Sequence, residues 1–341
     1  MLRQATLDDS AAAVGLLALV GPETIFTVEG YRHAWANTSP YARRMSWCVD
    51  VESQCVGWAT GAATVDTTTP GMGWGGVTVH PAHRGRGYGT ALLESVERHL
   101  AELGVSRILG WSRSEDGSTA FACAHGYEQT ASGEILVVDP RTIEAPALPD
   151  GVELRPFSAF EDDPSPIFRV DSVAMLDEPG EATLDALTYE SWLDRFWRHP
   201  ALDRDASMVV LVGGEAVTVT MLITERESGR GQNNGTGTLP EHRGRGLALL
   251  AKQASLARVA ELGCTTVYTG NDATNAPMLA INRKLGYRLS SLEYAWGKTT
   301  TEEDPAAYQR TVSVVTSFGP DTRTIRQVYV PAGRASYDAL Q

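Results

Sequence analysis

Apolar positions along the chain follow two periods. MSWCVDV (45–51) and QCVGWATGAAT (54–64) alternate apolar and small polar residues between turn residues, as the strands of a hairpin do. MVVLVGG (208–214) and EAVTVTMLIT (215–224) repeat that pattern. A further strand follows each hairpin, WGGVTVH (74–80) or NNGTGTL (233–239). The period then changes to that of a helix. Leu92, Val96, Leu100 and Leu103 share one face, as do Leu247, Leu250, Ala254 and Ala257, and Gly104 and Gly263 stand where the helices stop. Strands SRILGWS (106–112) and TTVYTGN (265–271) come next, then second helices, STAFACAH and NAPMLAINRKL, ended by Gly126 and Gly286. A last strand closes each unit.

The two series are one series repeated. Arg84 and Arg243 stand 159 positions apart, AELG at 101–104 and at 260–263 keep the same offset, and HGY (125–127) and LGY (285–287) differ by 160. So long a period marks whole domains rather than solenoid repeats. The predicted units are 1–140 and 152–296, joined by PRTIEAPALPDG (140–151), whose prolines and closing Asp-Gly suit an exposed connector. Each is α/β, with a mixed sheet and helices on both faces. Residues 297–341 form an extension in which TVSVVTSF and TRTIRQVYV flank GPD as a hairpin.

Composition narrows the function classes. With 341 residues, 43% hydrophobic and 21% charged, the chain reads as a soluble globular protein. The early apolar run AAAVGLLALVG (11–21) follows Asp8 and Asp9 and is too short to span a bilayer, so neither a membrane span nor a signal peptide is expected. A net charge of -13 disfavours nucleic acid and anionic membranes as partners. Cys48, Cys55, Cys123 and Cys264 show no metal-ligand spacing and read as reduced, mostly buried thiols of a cytoplasmic protein; no metal is expected.

The phrases AHRGRGYGTALL (82–93) and EHRGRGLALLAK (241–252) carry the candidate chemistry. Glycine ahead of a helix lets the chain turn tightly and lets a ligand reach unshielded main-chain N–H groups. The first N–H groups of a helix lack intrahelical partners, and the helix dipole adds partial positive charge, so a phosphate fits there. The Walker pattern is absent, and Thr90 and Leu249 break the dinucleotide fingerprint.

What does match is R-x-x-G-x-G/A, with Arg84, Gly87 and Gly89 in the first copy and Arg243, Gly246 and Ala248 in the second. This resembles the coenzyme A diphosphate loop of the GNAT superfamily of N-acetyltransferases, and the later LGY after a second helix agrees. The chain thus looks like a tandem GNAT protein. Mycothiol synthases share that architecture, and the residues by themselves show no closer tie to them. The resemblance implies an acyl-coenzyme A-dependent N-acyltransferase, using acetyl-coenzyme A and acting on a primary amine of a small molecule as monomer or homodimer. A non-catalytic acyl-coenzyme A sensor, or a thioester hydrolase or decarboxylase on the same fold, are the alternatives.

Carried onto this sequence, the resemblance assigns the diphosphate to Arg243, Gly244, Arg245, Gly246 and Ala248, and to Arg84, Gly85, Arg86, Gly87 and Gly89 in the other copy. It places the acyl thioester between the fourth and fifth strands. Thr236 and Thr238 lie on the fourth-strand backbone that would polarise its carbonyl. Asn275 and Asn271 are expected on the pantetheine arm, which favours the second copy as the catalytic half; the first copy is a degenerate or purely cofactor-holding one. Where many members carry a tyrosine acid, this chain has Ala122 and Asn282. Asn282 is retained as a catalytic-position candidate. Glu225 and Glu227 are the nearest base candidates, although charged residues in an exposed hairpin turn explain them more readily. His83 and His242 repeat beside the loops and suit a phosphate contact or a structural hydrogen bond. Tyr189, Trp192, Phe196 and Trp197 form an aromatic stripe that either walls an acceptor pocket or is core.

Overall fold

The alternating segments form strands and the 3.6-period segments form helices. In chain order the first half contains β1 (Leu2–Gln4), α1 (Ser10–Val20), α2 (Val28–Ala36), β2 (Met45–Val51), β3 (Gln54–Ala63), β4 (Met72–Val79), α3 (Tyr88–Glu102), β5 (Arg107–Arg113), α4 (Asp116–Ala124) and β6 (Glu128–Val138). The second contains β7 (Val152–Pro156), α5 (Ser165–Met175), α6 (Tyr189–Trp192), β8 (Met208–Val212), β9 (Glu215–Glu225), β10 (Arg230–Thr238), α7 (Leu247–Glu261), β11 (Thr266–Asp272), α8 (Ala276–Lys284) and β12 (Arg288–Thr299). This computed structural model describes residues 1–300 and the strands β13 (Thr311–Ser317) and β14 (Arg323–Tyr329). Those two strands pair antiparallel as a separate sheet, as the hairpin reading expects; the rest of the 297–341 extension beyond residue 300 lies outside the described residues.

The two sheets that the repeat predicts are joined into one. Twelve strands run in the order β1-β2-β3-β4-β5-β12-β6-β11-β10-β9-β8-β7. The closing strands have changed places. β12, from the end of the second half, pairs with β5 of the first, and β6 pairs with β11 of the second. β6 and β12 also pair with each other across the centre. Each exchange covers the open N–H and C=O row of a neighbouring fifth strand, which would otherwise be an exposed edge.

Among the described strands only β4–β5 and β10–β11 run parallel, and both pairs part midway. The register between β4 and β5 stops at Trp74–Leu109, and that between β10 and β11 at Asn233–Thr269. Helices hold the strands from both faces. Leu92, Val96 and Leu100 of α3 are fully buried against Val49, Val56 and Ala59. Leu250 and Ala251 of α7 pack on Val210 and Val217, while Leu256 and Val259 pack on Leu222 and Val267. Each such Leu or Val contributes about 1.5–3 kcal/mol on burial. On the other face of the second half, Trp192 and Trp197 are buried among Phe157, Phe168 and Val209, so the aromatic stripe belongs to the core.

Candidate active site

Each glycine loop joins the end of a parting strand to a helix. Gly244 (φ 72°) and Gly246 (φ 78°) are left-handed, as are Gly85 (φ 73°) and Gly87 (φ 81°). At all four positions nothing lies within 4 Å of where a Cβ would stand. A left-handed conformation costs other residues about 1–2 kcal/mol each, so backbone demand rather than crowding selects glycine here. No side chain caps the N-terminus of α7 or of α3. Their first N–H groups are therefore left for a ligand, in a nest of main-chain donors. The leading arginine of each loop fastens it to the strand: Arg243 Nε donates to the Thr238 carbonyl at 3.0 Å and Arg84 Nε to that of Val79 at 3.3 Å. Their free ends pair with Asp177 at 2.5 Å and Glu115 at 3.4 Å.

Both loops open into cavities, and the cavities are unequal. The second-half cavity measures about 850 Å³ and runs from Arg243, Gly244, Gly246 and Ala248 past Thr236, Thr238, Asn271 and Asn275 to Glu293. The first-half cavity, about 440 Å³, is lined by Arg84, Gly85, Gly87 and Gly89 together with the apolar Val77, Phe121 and Trp296. Arg245 and Arg86 do not line them; Arg245 contacts His242 Nδ1 at 3.0 Å and Arg86 donates to the Ala82 carbonyl at 3.3 Å. Strand β10 also carries a register shift between Asn233 and Gly235, leaving Asn234 outside the register with both neighbours, whereas β4 keeps an unbroken register with β3. Such a bulge re-aims the backbone beside an opening.

Beneath the bulge lies a polar knot that no sequence pattern announced. Asn233 is buried, and its amide donates to Thr220 Oγ1 at 2.8 Å and the Met221 carbonyl at 2.9 Å. Its Oδ1 accepts from Lys252 Nζ at 2.9 Å and from Thr236 Oγ1 at 3.1 Å. Lys252 is buried and reaches the cavity wall, and burial pushes its ammonium down to about 7. The first half has Leu93 at the equivalent place in its repeat. A single lysine within an otherwise apolar helix face was the available signal.

Two catalytic expectations are corrected by position. Glu225 does not line the cavity; it sits at the far end of β9, paired with Arg230 at 2.6 Å and hydrogen-bonded by Ser228. Burial opposes its ionisation, but Ser228 and Arg230 outweigh that and hold the carboxyl below its ordinary range. A carboxylate so engaged is a poor base. Asn282 is buried behind the wall, where its amide donates to Asn271 Oδ1 at 2.5 Å. It orients Asn271 rather than facing the cavity. Asn275 caps α8 by accepting from the Met278 N–H at 3.3 Å.

The carboxylate that does reach the cavity comes from an exchanged strand. Glu293 of β12 lies where its Oε1 would be 3.1 Å from a Cβ on Gly133 of β6 and 3.8 Å from one on Gly270 of β11. Glycine at Gly133 leaves room for it. Burial, with a smaller contribution from the charge of Glu23, raises the Glu293 carboxyl above its ordinary range. Trp111 of β5, 61% exposed, lines both cavities. The second-half cavity is thus walled partly by first-half strands, an arrangement invisible to a reading that kept the halves apart.

Residues 20–127 and 172–287 match the model of the Acetyltransferase (GNAT) family. The chain belongs to that family and is an acyl-coenzyme A-dependent N-acetyltransferase of tandem GNAT architecture. Among its relatives is the mycothiol acetyltransferase of Saccharomonospora viridis, 31% identical over 232 residues, covering 64% of this chain and 72% of that protein. That of a Nocardioides species is 30% identical, covering 62% and 75%. These are a closer tie to mycothiol enzymes than the residues by themselves showed. The tandem GNAT protein from the clavulanic acid biosynthesis pathway superposes with a TM-score of 0.70 at 20% identity, over 89% of this chain and 99% of that one. A GCN5-related N-acetyltransferase from Sphaerobacter thermophilus gives 0.66 at 20%, over 88% and 95%. At such identity these structures speak for the fold. Among the described residues, no helix is long and apolar enough to cross a membrane.

Proposed function

We propose that the second half transfers an acetyl group from acetyl-coenzyme A to a primary amine of a small polar acceptor, one related to the mycothiol chemistry in its relatives' names. The observation that carries this reading is the single cavity that begins at the uncapped α7 N-terminus, passes the β10 bulge and ends on Glu293. The residues present fit the cofactor: open space at Gly244 and Gly246, unpaired helix donors, and a V between parted strands. Bound acetyl-coenzyme A would supply an activated thioester.

In this reading Arg243, Gly244, Gly246 and Ala248 hold the diphosphate through charge-assisted and main-chain hydrogen bonds, while Arg245, turned to His242, stays outside the cavity. Thr238, Asn271 and Asn275 lie along the pantetheine path, with Asn271 held in place by Asn282. Backbone N–H groups of β10 near Thr236 polarise the carbonyl. Glu293 replaces Glu225 as the group that takes the proton of the attacking amine; a carboxyl of raised pKa is better matched to that task. We keep 1–140 and 152–296 as the repeat units, except that β12 carries the second unit to Thr299, so that the extension starts after that strand rather than at 297, and the first half as a site of weaker or purely cofactor-holding role. The four free cysteines and the acidic surface suit a cytoplasmic monomer or homodimer without nucleic-acid or membrane partners.

The test follows thiol release from acetyl-coenzyme A across a panel of small amines, with cofactor stoichiometry by native mass spectrometry. Amine-dependent release that Arg243→Glu abolishes and Arg84→Glu spares supports the proposal. Loss of turnover on Arg84→Glu alone, or release without any amine, overturns it.

A further inference from the structure

Outside both cavities, the first half brings two thiols together. Cys48 on β2 and Cys55 on β3 are seven residues apart in sequence, and the register shift after Val49–Gly57 lets them meet diagonally across the hairpin. Their sulfurs stand 2.9 Å apart, closer than unbonded sulfur atoms ordinarily rest, with the Cys48 thiol donating to Cys55 Sγ. A disulfide requires about 2.05 Å, so the two need less than an ångström of further approach. Cys48 is wholly buried with Ala13, Leu16 and Trp58, on the sheet face that α1 covers; Cys55 is half-exposed. Access and burial are therefore divided between the two thiols in the way that attack and resolution would require. The hydrogen bond from Cys48 favours the Cys55 thiolate, whose pKa is lowered, while that of Cys48 is raised.

Asp50 Oδ1 also accepts from the Cys48 thiol at 3.0 Å, sharing its one proton with Cys55, and the three groups resemble an incomplete metal site. The other oxygen of Asp50 accepts from Arg3 Nε at 2.7 Å, which already places a cation there. That disfavours a bound metal ion.

We propose that Cys48 and Cys55 form a thiol–disulfide exchange site for small-molecule disulfides. The Cys55 thiolate attacks one sulfur of the disulfide, forming a mixed disulfide and releasing one small thiol. Cys48 gives its proton to the Asp50 carboxylate 3.0 Å away and attacks Cys55 Sγ, closing the Cys48–Cys55 bond; the second small thiolate departs and takes up that proton. The protein is oxidised by two electrons, and one disulfide becomes two thiols. Neither cysteine lines either glycine-loop cavity, so the site is chemically separate from them.

The experiment uses the full chain with Cys123→Ser, since Cys123 is exposed and would take up reagent by itself. Protein is incubated with oxidised glutathione, freed of it, and examined by intact and peptide mass spectrometry. The expected result is loss of two hydrogens with no retained glutathione, and one peptide pair linking Cys48 to Cys55. Adding Cys48→Ser should trap glutathione on Cys55, whereas adding Cys55→Ser should leave Cys48 unmodified. A stable glutathione adduct on Cys55 with Cys48 still present, or Cys123→Ser protein whose Cys48 and Cys55 stay free throughout, overturns the proposal. So does stoichiometric zinc uptake by the reduced pair, which would make it a metal site. If a serine variant fails to fold, the Cys123→Ser measurement decides alone.

Discussion

Lys252 Nζ and Asn233 Oδ1 are 2.9 Å apart beneath the bulge that opens the second half's cleft. The lysine sits on α7, whose N-terminus frames the diphosphate loop, and the asparagine sits where β10 leaves β11. One buried hydrogen bond thereby ties the two walls of the site. Replacing Lys252 by Met keeps the bulk and leaves Asn233 with the Thr236 donor. A buried hydrogen bond to a charged group contributes about 1.5–3 kcal/mol. The expected outcome is a fall in kcat of about tenfold with the fold retained by circular dichroism. Unchanged kcat would remove Lys252 from any positioning role.

Stability should depend on pH through two buried groups. Burial pushes Lys252 from 10.5 down to about 7, so between those values the unfolded chain binds a proton that the folded chain lacks, and stability rises with pH. Burial also pushes Asp171 from 3.8 up to about 7, against the hydrogen bond it accepts from Trp192 Nε1. Between about 4 and 7 the folded chain keeps a proton that the unfolded chain has released, so stability falls with pH. At full extent these amount to about 5 kcal/mol for Lys252 and about 4 kcal/mol for Asp171. In urea titrations, Lys252→Met should flatten the rise above pH 7 and Asp171→Asn the fall below it. A limb that survives its own variant refutes that assignment.

Gly246→Ala is a purely conformational probe, because the added Cβ meets nothing. It should lower stability by about 1–2 kcal/mol through left-handed strain and weaken coenzyme A binding, as calorimetry would report. Gly87→Ala should cost similar stability while leaving turnover intact. Equal loss of turnover in both variants would mean that both halves serve the reaction.

Glu293→Gln tests the base. The carboxyl is raised by burial and by Glu23, so its basic form grows in as pH rises, and wild-type kcat/KM should climb along that limb. The variant should lose about 100-fold in kcat and show no such limb. A limb preserved in the variant assigns it to another group.

Cutting the chain within 140–151 should not yield two independent domains. A fragment ending at residue 150 retains β6 but lacks β12, the strand that lies between β6 and β5. The other fragment has β12 but lacks β6, the partner of β11. Expressed apart, each should aggregate through its uncovered strand edge; co-expressed, they should copurify. Two soluble monomeric fragments would show the exchange to be dispensable.

Much of this was legible beforehand. The repeat, the helices and both glycine loops follow from spacing within a few residues. The loop residues Arg243, Gly244, Gly246 and Ala248 do line one cavity with Thr236, Thr238, Asn271 and Asn275. Glu225 misled because closeness in sequence to the fourth strand is not closeness to its open end; the residue stands at the end of β9 that joins the start of β10. Nothing in the sequence singles out Lys252 as a site residue, because helical period alone does not say which polar side chain is turned inward to a partner.

The amino-acid sequence alone determined the two-unit plan and the anion-binding turns, since those depend on backbone preferences and on contacts three or four residues apart. Tertiary structure alone decided which strand closes which half, and so brought Glu293 over Gly133 and Gly270 into the second cavity. The physical reason is that a strand edge offers the same N–H and C=O row to any partner of compatible register. Only the folded sheet chooses among partners separated by more than a hundred residues.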